Sequence, residues 1–223
     1  MNIDVGLCFY NDLESLKHSV PTYQEHVRYI HAVDGRFQDF ESDKDYSDPE
    51  VIEYLKSFDN VKTDRFVGVE HDKRNRYVKL AAKYKADALL IIDSDDYVLE
   101  AAWDLFYKSV EERIKQYPNE NFFGIDFRYT PPNFKPVEYT AIPRLWARPS
   151  ECEYYKAHCI FKSNIGGGPL RSSDTAPKIL GIKCASGDDY RSEEYLNKIS
   201  KYQGKMIEYE IPIRHALRDN KVF

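Results

Sequence analysis

The sequence predicts an α/β fold built on a mostly parallel central sheet, and three observations predict it. Over residues 1–100, short apolar runs alternate with stretches of helical spacing, the pattern of strand–helix units. Ala88-Leu89-Leu90-Ile91-Ile92 is apolar at every position, as suits a strand covered on both faces. Several of the strand-like runs end in polar or acidic residues, which would collect along one rim of such a sheet.

The elements follow in order. Val5 to Tyr10 reads as a buried strand, and Asn11-Asp12 as a turn and helix cap with Glu14 in the first helical turn. That helix ends near Val20, because Pro21 lacks an N–H and crowds the preceding turn. Tyr29 to Val33 is a second strand, closed by Asp34-Gly35. Pro49 to Phe58 is a short helix, with Asp48 at the cap and Pro49 at the first helical position. Arg65 to Val69 is a third strand, and Asn75 to Lys85 a helix with Val78, Ala81 and Ala82 on one face. The apolar strand Ala88 to Ile92 comes next, followed by Asp93-Ser94-Asp95-Asp96. Ala101 to Tyr117 is an amphipathic helix whose Trp103, Phe106, Tyr107, Val110 and Ile114 form a core stripe.

The pattern changes after Pro118. Phe122 to Tyr129, Ala141 to Trp146 and Tyr154 to Phe161 read as strands, with the loop Thr130 to Pro136 after the first of them. Ile165 to Pro169 is a glycine-rich loop, Glu193 to Tyr202 a helix and Met206 to Ile213 a last strand. No repeat and no low-complexity linker interrupts the chain. Residues 1–223 are therefore expected to form a single domain, with a parallel half over 1–100 and a mixed half over 101–223.

A chain of 223 residues can bury a large core without disulfides. The net charge of −5, spread without long blocks of one sign, argues against a nucleic-acid-binding surface. Cys8, Cys152, Cys159 and Cys184 form no CxxC pair, so spacing gives no zinc site. No signal-peptide pattern opens the sequence, and no apolar run nears the about 20 residues a membrane span needs. A cytoplasmic protein with reduced thiols is the expectation. Aromatic residues, 18 Tyr and 12 Phe among them, are plentiful enough to line a sugar or base cleft, although most tyrosines belong on half-buried faces.

Ligands of open parallel sheets bind outside the carboxyl ends of the strands. Tyr10-Asn11-Asp12, Asp34-Gly35 and Asp93 to Asp96 would share that rim. Asp12 by itself reads as a helix cap. Asp93 to Asp96 reads differently, because three carboxylates in four residues repel one another unless a cation or full solvation relieves them. Alternate carboxylates after a buried strand suit Mn²⁺ or Mg²⁺. Such an ion can bridge the phosphates of a nucleotide diphosphate and neutralise a leaving group.

Taken together, these pieces resemble nucleotide-sugar glycosyltransferases of the GT-A fold, nearest to glycosyltransferase family 2. The resemblance is carried by Val5 to Asn11, Ala32-Val33-Asp34-Gly35, Arg74-Asn75 followed by Leu80-Ala81-Ala82, and Ala86 to Asp96. It implies a GT-A-like, Rossmann-like sheet, with nucleotide-sugar binding in residues 1–100 and an acceptor side in residues 101–223. It further implies that Tyr10 stacks on the nucleobase, that Asp34 bonds the base or ribose, and that Arg74 and Asn75 lie near the base or diphosphate. Asp93 would face the ribose or metal, and Asp95 would ligate the metal directly. In the less similar C-terminal half, Gly187-Asp188-Asp189-Tyr190 resembles the acidic pair that supplies the general base of inverting members, with Asp189 in the base position and Asp188 where Glu is usual. His215 resembles a late histidine of the metal or diphosphate site. His158, in a partly matching segment that begins at Pro143-Arg144-Leu145-Trp146, is its rival.

The resemblance thus implies metal-dependent, inverting transfer of a sugar from a nucleotide-diphosphate sugar to a glycan, protein or lipid-linked acceptor. Two other enzyme readings compete. In a haloacid-dehalogenase-type phosphatase Asp93 would be the nucleophile, but there the motif-bearing strand normally comes first in the domain. A sugar nucleotidyltransferase would carry a glycine-rich basic loop where Phe9-Tyr10-Asn11-Asp12 stands. A nucleotide- or glycan-binding module without turnover is a third alternative.

Overall fold

The computed structural model describes residues 1–38, 40–130, 140–154, 161–163 and 176–187. Its elements in chain order are β1 (Ile3–Phe9), α1 (Leu13–Ser19), β2 (Ile30–Asp34), α2 (Pro49–Lys56), β3 (Val61–Arg65), α3 (Glu70–Lys83), β4 (Ala88–Asp93), β5 (Asp96–Ala101) and α4 (Trp103–Gln116). There follow β6 (Phe122–Thr130), β7 (Thr140–Ala147), β8 (Cys152–Tyr154), β9 (Phe161–Ser163) and β10 (Lys178–Gly187).

An eight-stranded sheet runs in the order β3-β2-β1-β4-β7-β6-β10-β5. The half from β3 to β4 is parallel throughout. At β4 the direction reverses: β7 is antiparallel to both β4 and β6. Further out, β10 lies parallel to β6 and antiparallel to the edge strand β5. The fold is thus the expected mixed α/β sheet flanked by helices, parallel in its first half and mixed in its second.

Side chains alternate between the faces of a strand, and both faces of the sheet centre are covered. Val5, Leu7 and Phe9 of β1 join Leu90 and Ile92 of β4 in a core that reaches α2 through Leu55 and α4 through Phe106. Cys8, Leu89 and Ile91 join Tyr77, Val78 and Ala81 of α3, with Trp146 and Tyr154, on the opposite face. Gly6 makes this packing possible, because a Cβ there would lie 2.5 Å from the Tyr77 ring.

Several boundaries differ from the sequence reading, each for a physical reason. The third strand is Val61–Arg65, ahead of the expected Arg65 to Val69. Among the described residues it borders only β2, so its polar residues can face solvent, and the apolar run lies just beyond it. Helix α3 starts at Glu70 rather than Asn75. Glu70, Lys73, Arg74, Tyr77, Val78 and Ala81 are all buried at helical spacing, so the buried stripe continues into charged residues that apolar periodicity does not register. Strands β5 and β10 are absent from the sequence reading, since β5 begins within the acidic run and β10 is rich in small and charged residues. The expected strand Tyr154 to Phe161 is not a single strand: Tyr154 ends β8 and Phe161 opens β9, which pair antiparallel with each other, and residues 155–160 lie outside the described residues. The expected helix Glu193 to Tyr202 and strand Met206 to Ile213 lie outside the described residues. Among the described residues no helix is long and apolar enough to cross a membrane.

Candidate functional site

The parallel strands β1, β2 and β4 carry their carboxyl ends to one rim, and two differently built clusters stand there. The first lies where β1 and β2 end. Tyr10 is buried, and its hydroxyl donates to the Lys44 carbonyl at 2.7 Å. Asn11, at φ 45°, accepts from the Asp48 N–H at 2.7 Å, while its own N–H donates to Ser47 Oγ at 2.8 Å. Asp34 is fully buried, and Oδ1 accepts from Ser47 Oγ at 2.6 Å and from the Ser47 N–H at 3.0 Å. Arg65 Nε stands 3.6 Å from Asp34 Oδ2. The segment after β2 therefore folds back as a strap that engages both Tyr10 and Asp34.

Beneath the strap sits Lys73, 1% exposed. Its ammonium donates to the Phe9 carbonyl at 2.8 Å and to the Gly35 carbonyl, and lies over the Phe37 ring at 4.8 Å. It thereby ties the ends of β1 and β2 together. Burial pushes its pKa below the usual lysine range. Gly35 is at φ 132°, where a Cβ would come within 2.3 Å of the Phe66 carbonyl oxygen, so only glycine fits this turn.

The second cluster lies where β4 ends, at the reversal of the sheet. Asp93 Oδ1 accepts from Arg74 Nη1 at 2.7 Å, and Oδ2 from Arg144 Nη1 at 2.9 Å. Arg74 Nε donates to Glu70 Oε1 at 2.8 Å, one helical turn away. Arg144 Nη2 stands 3.2 Å from Asp96 Oδ2, which also accepts the Asp93 N–H at 2.9 Å. Aromatic rings back both guanidinium groups: Tyr154 lies 5.7 Å from Arg74, and Phe127 lies 5.2 Å from Arg144. Ser94 Oγ donates to Asp12 Oδ2 at 2.7 Å, which links the ends of β4 and β1.

Charge divides unevenly among these acids. Burial would push the Asp93 carboxyl up, but Arg74 and Arg144 outweigh it and hold Asp93 far below the ordinary carboxylate range. Asp96 goes the other way: burial, reinforced by Asp93 and Asp95 and opposed by Arg144, pushes it up to about 8. Asp93 is thus an anion between two cations, while Asp96 holds its proton more tightly than an ordinary carboxyl.

The residues singled out from sequence divide between the rim, other contacts and segments outside the described residues. Tyr10, Asp34, Arg74, Asp93 and Asp95 lie on or beside the rim. The Asn75 amide exchanges hydrogen bonds with the Tyr154 main chain at 2.9 and 2.7 Å and so fastens α3 to β8. Asp12 occupies the N-cap position of α1 without a side-chain capping bond, and takes Ser94 instead. Asp188, Asp189, His158 and His215 lie outside the described residues. Sequence reasoning missed the partnership of Arg144 and Glu70 with the rim. A charged residue inside the apolar run Ile142 to Trp146, and charged residues in register with Tyr77 and Ala81, were the available signals.

The donor set also bears on a divalent cation. Among the described residues no group of three His, Cys, Asp or Glu side chains could hold a metal ion. Asp93 has one arginine N–H on each oxygen, and each oxygen keeps a further lone pair. Half-buried Asp95, in the turn between β4 and β5, is the remaining acid of the Asp-x-Asp pair. The described residues therefore do not complete a metal site.

Comparisons with known proteins add the following. No family model matches the chain, and no curated protein matches it. The solved structures it resembles include residues 1–349 of Staphylococcus aureus TarS in complex with UDP-GlcNAc, at 16% identity and a TM-score of 0.43 over 61% of this chain and 37% of that one. The complex of the same TarS fragment with UDP gives 17% identity, a TM-score of 0.42, and coverage of 61% and 38%. A mannose-1-phosphate geranyltransferase from Thermus thermophilus gives 12%, 0.36, and coverage of 67% and 51%. The aligned parts thus amount to between 37% and 51% of those chains.

Proposed function

We propose that this chain is a GT-A-like glycosyltransferase that moves a sugar from a nucleotide-diphosphate sugar to an acceptor hydroxyl, with inversion. One observation supports the reading: Asp93-Ser94-Asp95 leaves the carboxyl end of β4 next to β1, where the strand order β3-β2-β1-β4 changes direction, with Arg74 on the Asp93 carboxylate. Crevices at such switch points suit nucleotides, and guanidinium groups suit phosphates.

In this reading the nucleoside lies along the ends of β1 and β2, against Tyr10 and the strap, and the diphosphate lies at the end of β4. Arg74 provides fixed positive charge beside the phosphates, where negative charge grows as the glycosidic bond breaks. Asp95 would hold Mn²⁺ or Mg²⁺ together with groups beyond the described residues, His215 among the candidates. Such an ion supplies Lewis-acid stabilisation of the leaving diphosphate. Asp189, with Asp188 beside it, is the candidate base for the acceptor hydroxyl. The acceptor class stays open among glycans, proteins and lipid-linked sugars.

The test is release of nucleoside diphosphate from a panel of nucleotide sugars with Mn²⁺. We expect turnover of one donor class, its loss in Asp95→Ala, and loss of transfer with retained donor binding in Asp189→Asn. Full activity of Asp95→Ala would refute the role of that residue. Phosphate trapped covalently on Asp93 would replace this reading with a phosphatase.

A further inference from the structure

Neither motif nor resemblance gives Arg144 a role, yet the fold gives it a defined mounting. It enters from β7, the antiparallel neighbour of β4, whereas Arg74 enters from α3, and both meet Asp93 at the rim. The two guanidinium groups take one oxygen each of the Asp93 carboxylate, at 2.7 and 2.9 Å. Each rests on an aromatic ring, Tyr154 for Arg74 and Phe127 for Arg144. Neither group is saturated: among the described residues no hydrogen bond uses Arg74 Nη2 or Arg144 Nε. Nor is the cluster sealed, since the Arg144 side chain is 20% exposed and that of Asp93 is 25% exposed.

An ion pair that served only stability would gain little here. Removing two arginines and a carboxylate from water costs several kcal/mol per ion, and apolar side chains of similar size would pack the space at least as well. What the arrangement does provide is two planar forks held in fixed directions at a partly open rim. A carboxylate between two guanidinium groups fixes both planes, and each keeps N–H groups for an oxyanion with several oxygens.

We propose that Arg144 is a diphosphate-binding residue, oriented together with Arg74 by Asp93. The inference rests on the nucleotide-diphosphate reading above and adds to it a residue and a role. Asp93 acts here as a positioning residue. The pair binds the diphosphate through its own charge, so a measurable part of the anion affinity persists without any divalent cation.

The experiment uses inorganic pyrophosphate as the probe, in EDTA, with binding to the full chain read by calorimetry. The parent chain should bind, Arg144→Gln should bind at least about tenfold more weakly, in line with the loss of one charged hydrogen bond, and Arg144→Lys should fall between them. The lysine variant keeps the charge and loses the fork, so it reports even if the glutamine variant folds poorly. A purely structural role would leave the lysine and parent chains alike in affinity while shifting their melting temperatures. No binding by the parent chain in EDTA, or equal affinity in all three proteins, would overturn the proposal. Turnover in the nucleotide-sugar panel separates the two readings. Pyrophosphate binding that depends on Arg144, without turnover of any sugar donor, sinks the transferase reading alone. Turnover with Arg144-independent pyrophosphate binding sinks this proposal alone.

Discussion

Two stretches of the same rim, a few residues from the ends of neighbouring strands, are built in opposite ways. Where β1 and β2 end, polar groups are saturated by a strap: Asp34 is fully buried on Ser47, Tyr10 bonds the Lys44 carbonyl, and Lys73 caps two main-chain carbonyls. Where β4 ends, the groups are charged and partly open, with Asp93 held between Arg74 and Arg144. The first stretch has little freedom left and is suited to shape a surface. The second keeps charge and unused donors, and is suited to bind an anion. Low dielectric strengthens paired charges and penalises unpaired ones, so the second stretch should be the more fragile when a partner is removed.

The largest expected effect follows from that asymmetry. Arg74→Ala leaves Glu70 and one oxygen of Asp93 without their buried cation, and should cost about 3–5 kcal/mol of stability, as breaking a buried ion pair does. Denaturant unfolding would measure it, and a cost below about 1 kcal/mol, the level of an exposed pair, would erase the contrast between the two stretches. On the strapped side, Ser47→Ala removes the hydroxyl that donates to Asp34. It should cost about 1–3 kcal/mol by the same method, with little dependence on salt.

A pH experiment sharpens the comparison next. The Asp96 carboxyl is raised by burial to about 8, so the folded protein holds a proton that the unfolded chain releases near 3.8. Stability from this group is therefore present at low pH and lost as pH rises towards 8. Asp96→Asn keeps the acceptor for the Asp93 N–H and removes the titration. Its melting temperature relative to the parent chain should climb between about pH 4 and pH 8, and a flat difference would show that Asp96 titrates normally. The smallest effect is expected of Tyr10→Phe, which deletes one neutral hydrogen bond to the strap and should cost about 0.5–1.5 kcal/mol.

Much of this organisation is legible in the sequence. The apolar run Ala88 to Ile92, with acids at its end, locates the central strand and the rim correctly, because a strand buried on both faces admits few polar residues. Asp93, Asp34 and Tyr10 stand out because they close strand-like runs, and Arg74 through the family resemblance. What escapes detection is what those residues touch. Arg144 lies 51 positions from Asp93 and Ser47 lies 13 from Asp34, and periodicity reports faces rather than partners. Charged residues on a buried stripe, such as Glu70 and Lys73, read as solvated when only apolar spacing is counted. Asn75 belongs to the expected helix, and it faces β8 and bonds the Tyr154 main chain.

In the proposed function the charged end of β4 receives the diphosphate of a nucleotide donor. Amide hydrogen exchange with and without nucleoside diphosphate and Mn²⁺ tests it most directly, since bound ligand slows exchange where it stabilises the backbone. We expect slowing in the peptides that hold Asp93 to Asp96 and Arg144, with a smaller change in the strap around Ser42 to Asp48. Slowing confined to other parts of the chain, or no change with any base, would contradict the account.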